Sequence, residues 1–195
     1  GLFVVGLPLE LDGRLFNAAA VCQGGRALAA VPKTYLPNYR EFYDVRFFAP
    51  APAAVSDVIH LAGRAVPFGT DVLFEATDDP AFVVGVEVCE DLWMPVPPSS
   101  LQAVAGATLL LNLSASNETI GKAAYRRQLV AGQSARCLAG YVYASSGPGE
   151  STTDLVFGGH CLVAENGAVL ADSPRFRRGS HLTVADVDLD RLTHD

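Results

Sequence analysis

The chain has 195 residues, half of them hydrophobic and 18% charged, with mean hydropathy +0.25, which suits one well-packed soluble domain or part of a larger one. A formal charge of −7 leaves no basic stripe to neutralise phosphates, and the local clusters "YRRQ" and "RFRRG" read as a helix face and a solvated loop, so a nucleic-acid partner is excluded. No apolar run approaches the roughly 18 residues of a membrane span, so no membrane partner is expected.

In chain order, the sequence opens on "GLFVVGLPL", which reads as a strand already under way without an initiator methionine or signal peptide. The chain is therefore expected to be a segment of a longer polypeptide. "LFVVGL" and "NAAAVCQ" are strands, with Glu10 and Asp12 in a polar turn between them. Gly24-Gly25 turns the second strand back into "ALAAVP". Residues 33 to 55 form a long loop whose many aromatics argue against disorder and for a functional role. "DVLFEA" follows as a strand, then "FVVGVEVC", an almost unbroken apolar run expected of a central buried strand. Ser99 or Ser100 is positioned to cap a short helix over "LQAVAG". "ATLLLNLSAS" is a further buried strand, and residues 121 to 140 read as the one long helix, stopped by Gly140. "YVYASS", "LVFG", "HCLVAEN", "AVLAD" and "HLTVADVDL" are read as the remaining strands, with Asn166-Gly167 a hairpin turn.

Chemistry concentrates where the strands end. Lys33 follows "ALAAVP", Cys89 follows "VVGVEV", Ser114 and Ser116 follow "LLLNL", and "SSGPGEST" follows "YVYA". In an α/β sandwich such ends converge on a binding pocket. Cys89 is puzzling in isolation, because Glu87, Glu90 and Asp91 surround it and negative charge disfavours a thiolate. Two readings stand side by side: an inert core thiol with a surface lysine, or a nucleophile whose field Lys33 reverses. The other cysteines, Cys22, Cys137 and Cys161, sit in apolar stretches and read as buried free thiols in a reducing cytoplasm. No CxxC spacing exists, and the scattered histidines make a metal site unexpected.

Four stretches, "VPKTYLPNYREFYDVRFFAP", "GVEVCEDLWMPVPPS", "NLSASNETIGK" and "GPGESTTDLVFGGH", resemble the nitrilase-type (carbon-nitrogen hydrolase) glutaminase domain of glutamine-dependent NAD+ synthetases. The lysine and cysteine motifs are common to carbon-nitrogen hydrolases, whereas the last two are particular to NAD+ synthetases. The resemblance implies a nitrilase-like four-layer α-β-β-α sandwich, N-terminally truncated, spanning residues 1–195 as a partial glutaminase domain without the synthetase domain. It implies a Glu–Lys–Cys triad with Cys89 as nucleophile and Lys33 as triad lysine. A supporting glutamate eight residues after the lysine falls on Glu41, and the general-base glutamate lies outside the chain. Substrate-binding positions carried over are Tyr39, Ser116 and Lys122, the last where relatives commonly have arginine, with Glu90 and Trp93 shaping the pocket wall. Lys33, Glu41, Cys89 and Ser116 are expected to converge.

The implied partners are L-glutamine, a C-terminal synthetase domain and further copies of the same chain in a homo-oligomer. No cofactor is expected in this segment; ATP and Mg2+ belong to the full-length synthetase. Two alternatives remain at this stage. One is a stand-alone amidase or nitrilase acting on another small amide, and the other is an inactive binding module. A Cys–His hydrolase fits poorly, because none of His60, His160, His181 and His194 follows a motif pairing it with Cys89.

Overall fold

A computed structural model describes residues 1–150 and 155–194. The first three strands, β1 (Leu2–Leu11), β2 (Arg14–Gln23) and β3 (Arg26–Pro32), form an antiparallel sheet in chain order. The first connection is the Asp12-Gly13 pair, both at positive φ (53° and 70°), as a two-residue hairpin demands. Glu10 consequently belongs to β1 rather than to the turn. Alternation divides the sheet cleanly: Ala19, Val21 and Val31 face one way, and Phe16, Ala18 and Ala30 the other.

After the loop the chain makes a hairpin that the sequence reading did not separate, β4 (Val58–Leu61) and β5 (Arg64–Pro67). Its Ile59 and Val66, with Phe68 and Leu9, cover the Phe16 face. The larger sheet has the order β11-β10-β9-β8-β7-β6. Its members are β6 (Phe74–Glu75), β7 (Val83–Val88), β8 (Leu109–Ser114), β9 (Gly140–Ser145), β10 (Leu162–Glu165) and β11 (Ala168–Asp172). The three central strands β7, β8 and β9 are parallel, so their C-termini share one edge. Val84, Val86 and Val88 of β7 interlock with Ala19, Val21 and Val31, and this contact joins the two sheets face to face.

On the opposite face of the large sheet lie α1 (Pro98–Val104) and α2 (Lys122–Cys137). Gly85 makes close packing possible there: a Cβ at this position would meet Gln102 of α1 at 2.5 Å. A helical layer, a large sheet and a facing smaller sheet are the α/β sandwich architecture expected of a nitrilase-like domain.

Several local expectations change. Ser99 and Ser100 do not cap α1 but lie inside its first turn, because Pro97 and Pro98 open it; Pro98 tolerates the first helical position, where no N–H bond is needed. The long helix ends on Leu138 in the left-handed region (φ 49°), and Gly140 already belongs to β9. "DVLFEA" contributes only the two residues of β6, and "LVFG" only a bridge between Phe157 and Asn117. "HLTVADVDL" alternates like a strand, yet among the described residues no strand pairs with it. The Asp188 N–H is instead taken by the Glu165 carboxylate at 2.7 Å, after which the short α3 (Leu189–His194) begins.

Candidate active site

The loops leaving β3, β7, β8 and β9 enclose a cavity of about 470 Å³, a volume suited to a small ligand. Lys33, Asp44, Cys89, Glu90, Ser114, Ser145 and Ser146 line it, with Asn17 and Gly6 from the smaller sheet forming the opposite wall. The sequence reading of converging strand ends therefore holds for Lys33, Cys89, Ser114 and the first residues of "SSGPGEST"; Ser151 and Thr152, the end of that motif, lie outside the described residues.

Cys89 stands where the chain changes form. The β7 ladder ends at Val88, and a 3-10 turn runs over Cys89–Trp93. Cys89 is the first residue of this turn and adopts φ 52°, a conformation that costs a non-glycine residue energy and concentrates at functional sites. The turn is tied to the lysine loop by Asp91, whose carboxylate accepts the N–H groups of Val88 (2.9 Å), Tyr35 (2.8 Å) and Thr34 (3.1 Å). Burial pushes this carboxyl up to about 7, against the pull of those donors and of Lys33. Asp91 is thus a strut joining the two reactive loops, a role that adjacency to Cys89 alone did not reveal.

Lys33 is 2% exposed and donates to Asp44 Oδ2 at 2.7 Å. Glu41, the acid found by counting eight residues from the lysine, points elsewhere: its carboxylate accepts from Asn117 Nδ2 at 2.5 Å. The loop supplies Asp44 instead, because the chain folds into a 3-10 turn over Asp44–Arg46 whose start turns back toward Pro37, with Asp44 N–H on the Pro37 carbonyl at 3.1 Å. Fixed spacing fails here because a turn, not a strand or helix, sets which residue faces inward. The only sequence signal for Asp44 was its place in the same loop.

Tyr39 donates to Glu90 Oε1 at 2.7 Å, linking the outer aromatic loop to the residue after the cysteine. Burial raises the Glu90 carboxyl, while the Tyr39 hydrogen bond and the charges of Lys33 and Lys122 work the other way. Burial and Glu90 likewise hold the Tyr39 hydroxyl well above its ordinary value. A rim group stands beside these. Lys122, at the start of α2, donates to Asn117 Oδ1, and its ammonium lies 5.2 Å from the Trp93 ring centre and 5.5 Å from that of Phe42. Burial, then Arg126, lowers the Lys122 ammonium value. Trp93 packs at 5.5 Å against Tyr125 of α2. Glu41, Asn117, Lys122, Trp93 and Phe42 therefore form one connected wall.

Ser116 is buried and does not line the cavity with Ser114; its hydroxyl accepts from Arg126 Nη2 at 3.5 Å. Arg126 is a residue the sequence reading treated as a helix-face charge, yet it is fully buried. Its guanidinium donates to Glu118 Oε1 (2.7 Å) and the Asn117 carbonyl (3.3 Å) and meets His160 Nδ1 at 3.0 Å. His160 in turn meets Asp172 Oδ1 at 2.8 Å. Gly158 leaves the room this cluster needs, since a Cβ there would lie 2.5 Å from Glu118 Oε1. Among the described residues no group of three or more His, Cys, Asp and Glu could hold a metal ion.

Chemically, the cavity offers a thiol on a strained turn, a buried ammonium neutralised by a carboxylate, and N–H groups of a 3-10 turn at the thiol. Such a set can carry out nucleophilic attack on a carbonyl and stabilise the resulting oxyanion.

The chain is similar to known proteins over nearly its whole length. The chain is 52% identical over 191 residues to a glutamine-dependent NAD(+) synthetase of Mycobacterium tuberculosis, an alignment covering 98% of this chain and 28% of that protein. The crystal structure of a glutamine-dependent NAD(+) synthetase from Cytophaga hutchinsonii superposes with TM-score 0.77 at 30% identity, over 89% of this chain and 27% of the other. A carbon-nitrogen hydrolase from Helicobacter pylori shares the fold, with TM-score 0.73 at 18% identity over 99% of this chain and 64% of the other. The chain thus spans little more than a quarter of the synthetases it matches. Residues 2–194 match the carbon-nitrogen hydrolase family, and the chain belongs to that family.

Proposed function

We propose that this chain is part of the glutaminase domain of a glutamine-dependent NAD+ synthetase, hydrolysing the side-chain amide of L-glutamine and supplying ammonia to a synthetase domain elsewhere in the protein. The observation that carries the reading is Cys89, held at positive φ at the end of a central strand, in one cavity with the buried Lys33–Asp44 pair. The similarity to NAD(+) synthetases over nearly the whole chain supports the choice of glutamine over another amide.

In this mechanism Cys89 Sγ attacks the amide carbonyl carbon and its proton passes to the departing nitrogen. Collapse of the tetrahedral intermediate breaks the carbon–nitrogen bond, giving a thioester and ammonia, and water then releases glutamate and the thiol. Lys33 and the N–H groups of the 3-10 turn face the developing oxyanion. The proton acceptor is a glutamate supplied from outside these 195 residues, as the family resemblance implies. Tyr39, Glu90, Lys122 and Trp93 form the substrate wall, with Ser116 held behind it by Arg126, and Lys122 meets the substrate's carboxylate as a point charge rather than the two-pronged fork of an arginine. Glu41 acts through Asn117 on this wall, and Asp44 takes the supporting place beside Lys33. ATP and Mg2+ act in the synthetase domain; no step here passes through either. No described helix is long and apolar enough to cross a membrane, and a cytoplasmic, homo-oligomeric enzyme is the setting proposed.

The test is a pair of rates in the full-length protein containing this chain. Cys89→Ala should abolish NAD+ formation from glutamine and leave formation from ammonium chloride unchanged. Equal loss of both rates would make Cys89 structural, and loss of neither would place the nucleophile elsewhere.

A further inference from the structure

Two polar side chains in the body of the large sheet do not line the cavity described above and have no part in its chemistry. Glu87 is 1% exposed in β7, two residues before Cys89, and Asn112 is 1% exposed beside it in β8, where the two are paired across the parallel ladder. A carboxyl buried in an apolar sheet is costly unless its oxygens are satisfied. Those of Glu87 are: Oε1 accepts from the Tyr141 hydroxyl and from Asn112 Nδ2 at 3.5 Å, and Oε2 accepts the Ser99 N–H of α1 at 2.9 Å. Burial raises this carboxyl despite those donors, Tyr141 first among them.

Asn112 carries the arrangement forward to the site. The same Nδ2 that meets Glu87 also reaches the Cys89 carbonyl at 3.4 Å, while Oδ1 accepts from the cavity-lining Ser114 hydroxyl at 2.7 Å. The Cys89 carbonyl needs such a partner. The regular ladder stops at Val88, and a non-glycine residue at φ 52° persists only where its surroundings fix it. A lone asparagine amide could rotate; Glu87 on one side and Ser114 on the other leave it one orientation, with the amide nitrogen toward Cys89.

We infer that Asn112, oriented by Glu87 behind it, is a positioning residue that holds the Cys89 turn in its left-handed conformation and so aims the thiol into the cavity. The inference rests on the reading of Cys89 as nucleophile. It explains why an acid interrupts an otherwise apolar strand: Glu87 points away from the cavity, toward α1, and serves the turn rather than the substrate.

The experiment uses the full-length protein with Asn112→Ala and Glu87→Gln, beside Cys89→Ala as a control. Readouts are the glutamine-supported kcat and KM, the ammonium-supported rate, and the second-order rate of Cys89 alkylation by iodoacetamide in protein whose other cysteines are replaced by alanine. Misaiming a reacting group by about 1 Å costs on the order of 100-fold, so Asn112→Ala should lose roughly 10- to 100-fold in kcat. Its KM should stay within about 3-fold, its ammonium-supported rate should be kept, and its alkylation should slow by a similar factor. Glu87→Gln retains an acceptor for Asn112 and should lose less, about 3- to 10-fold, in the same two measurements. Unchanged kcat and alkylation in both variants would overturn the inference. So would a parallel fall of the ammonium-supported rate, which marks general destabilisation. Full glutamine-supported activity in Cys89→Ala would instead remove the nucleophile reading itself.

Discussion

Lys33 reaches the cavity from a buried position, where it is paired with Asp44 at 2.7 Å. Removing one partner of such a pair leaves the other charge uncompensated, at a cost of about 2–3 kcal/mol for a pair whose carboxylate side chain is 23% exposed. Asp44→Asn should therefore lower the thermal midpoint and reduce glutamine-supported turnover by about 10- to 100-fold. Glu41→Gln should do much less to turnover, because Gln can still accept from Asn117. Differential scanning calorimetry with steady-state glutaminase rates checks both, and the reverse ranking would restore Glu41 as the acid serving Lys33. The positions of Cys89 and Lys33 were legible in the sequence because each follows directly on an apolar strand. Strand position left an inert thiol and a surface lysine as equal readings, however, and the roles of nucleophile and triad lysine came from the family resemblance. Asp44 was not legible, since a spacing rule carries no information about a 3-10 turn between the two positions.

At the scale of elements, α2 delivers two cations one turn apart to the loop after β8, and only the first was expected to matter. Lys122 stands at the wall beside Trp93, while Arg126 lies beneath, bonded to Glu118, the Asn117 carbonyl and Ser116. Arg126 fixes the backbone that presents Ser116 and Asn117, so Arg126→Gln should act on substrate binding: KM for glutamine should rise at least 10-fold with a smaller change in kcat, read from saturation curves of the full-length protein. Gly158→Ala should reproduce part of that effect by displacing Glu118, whose carboxylate occupies the space of the added methyl. The periodicity of residues 121 to 140 revealed the helix, but the "YRRQ" motif could not show which arginine is buried, because tertiary burial of Arg126 depends on Glu118 and His160 arriving from other segments.

For the whole molecule, the pH dependence of stability should carry the signature of Asp91. Its carboxyl stands at about 7 in the folded protein, above the roughly 4 of an unfolded aspartate. The neutral form therefore contributes stability that is complete below about pH 4 and is lost as pH rises through 7. Asp91→Asn, which mimics the neutral form, should gain on the wild type across that window by about 2–4 kcal/mol in denaturant unfolding; a constant difference from pH 4 to 8 would exclude this titration. Activity also belongs to the whole protein. Residues 1–195 by themselves should hydrolyse glutamine barely or not at all, because a positioned proton acceptor contributes about 10²–10⁴-fold and the proposed one lies outside them. A coupled assay for released glutamate, comparing this segment with the full-length protein, measures the difference.

The sequence by itself determined the hydrophobic strands, the long helix, the glycine turns at 24–25 and 166–167, and the placement of Lys33, Cys89 and Ser114 at one edge of the fold. These follow from periodicity and turn chemistry, which act between residues near one another along the chain. The tertiary structure alone decided that Asp44 partners Lys33 and that Asp91 ties the cysteine turn to the lysine loop. It also decided that Arg126 is buried under Ser116, and that "HLTVADVDL" stays unpaired by any described strand. Each of those outcomes depends on groups that meet only after the two sheets and their connecting loops have closed on one another, with separations such as the 57 positions between Thr34 and Asp91. Burial then sets the charge state and the partner of each polar group, and no local pattern in the chain encodes it.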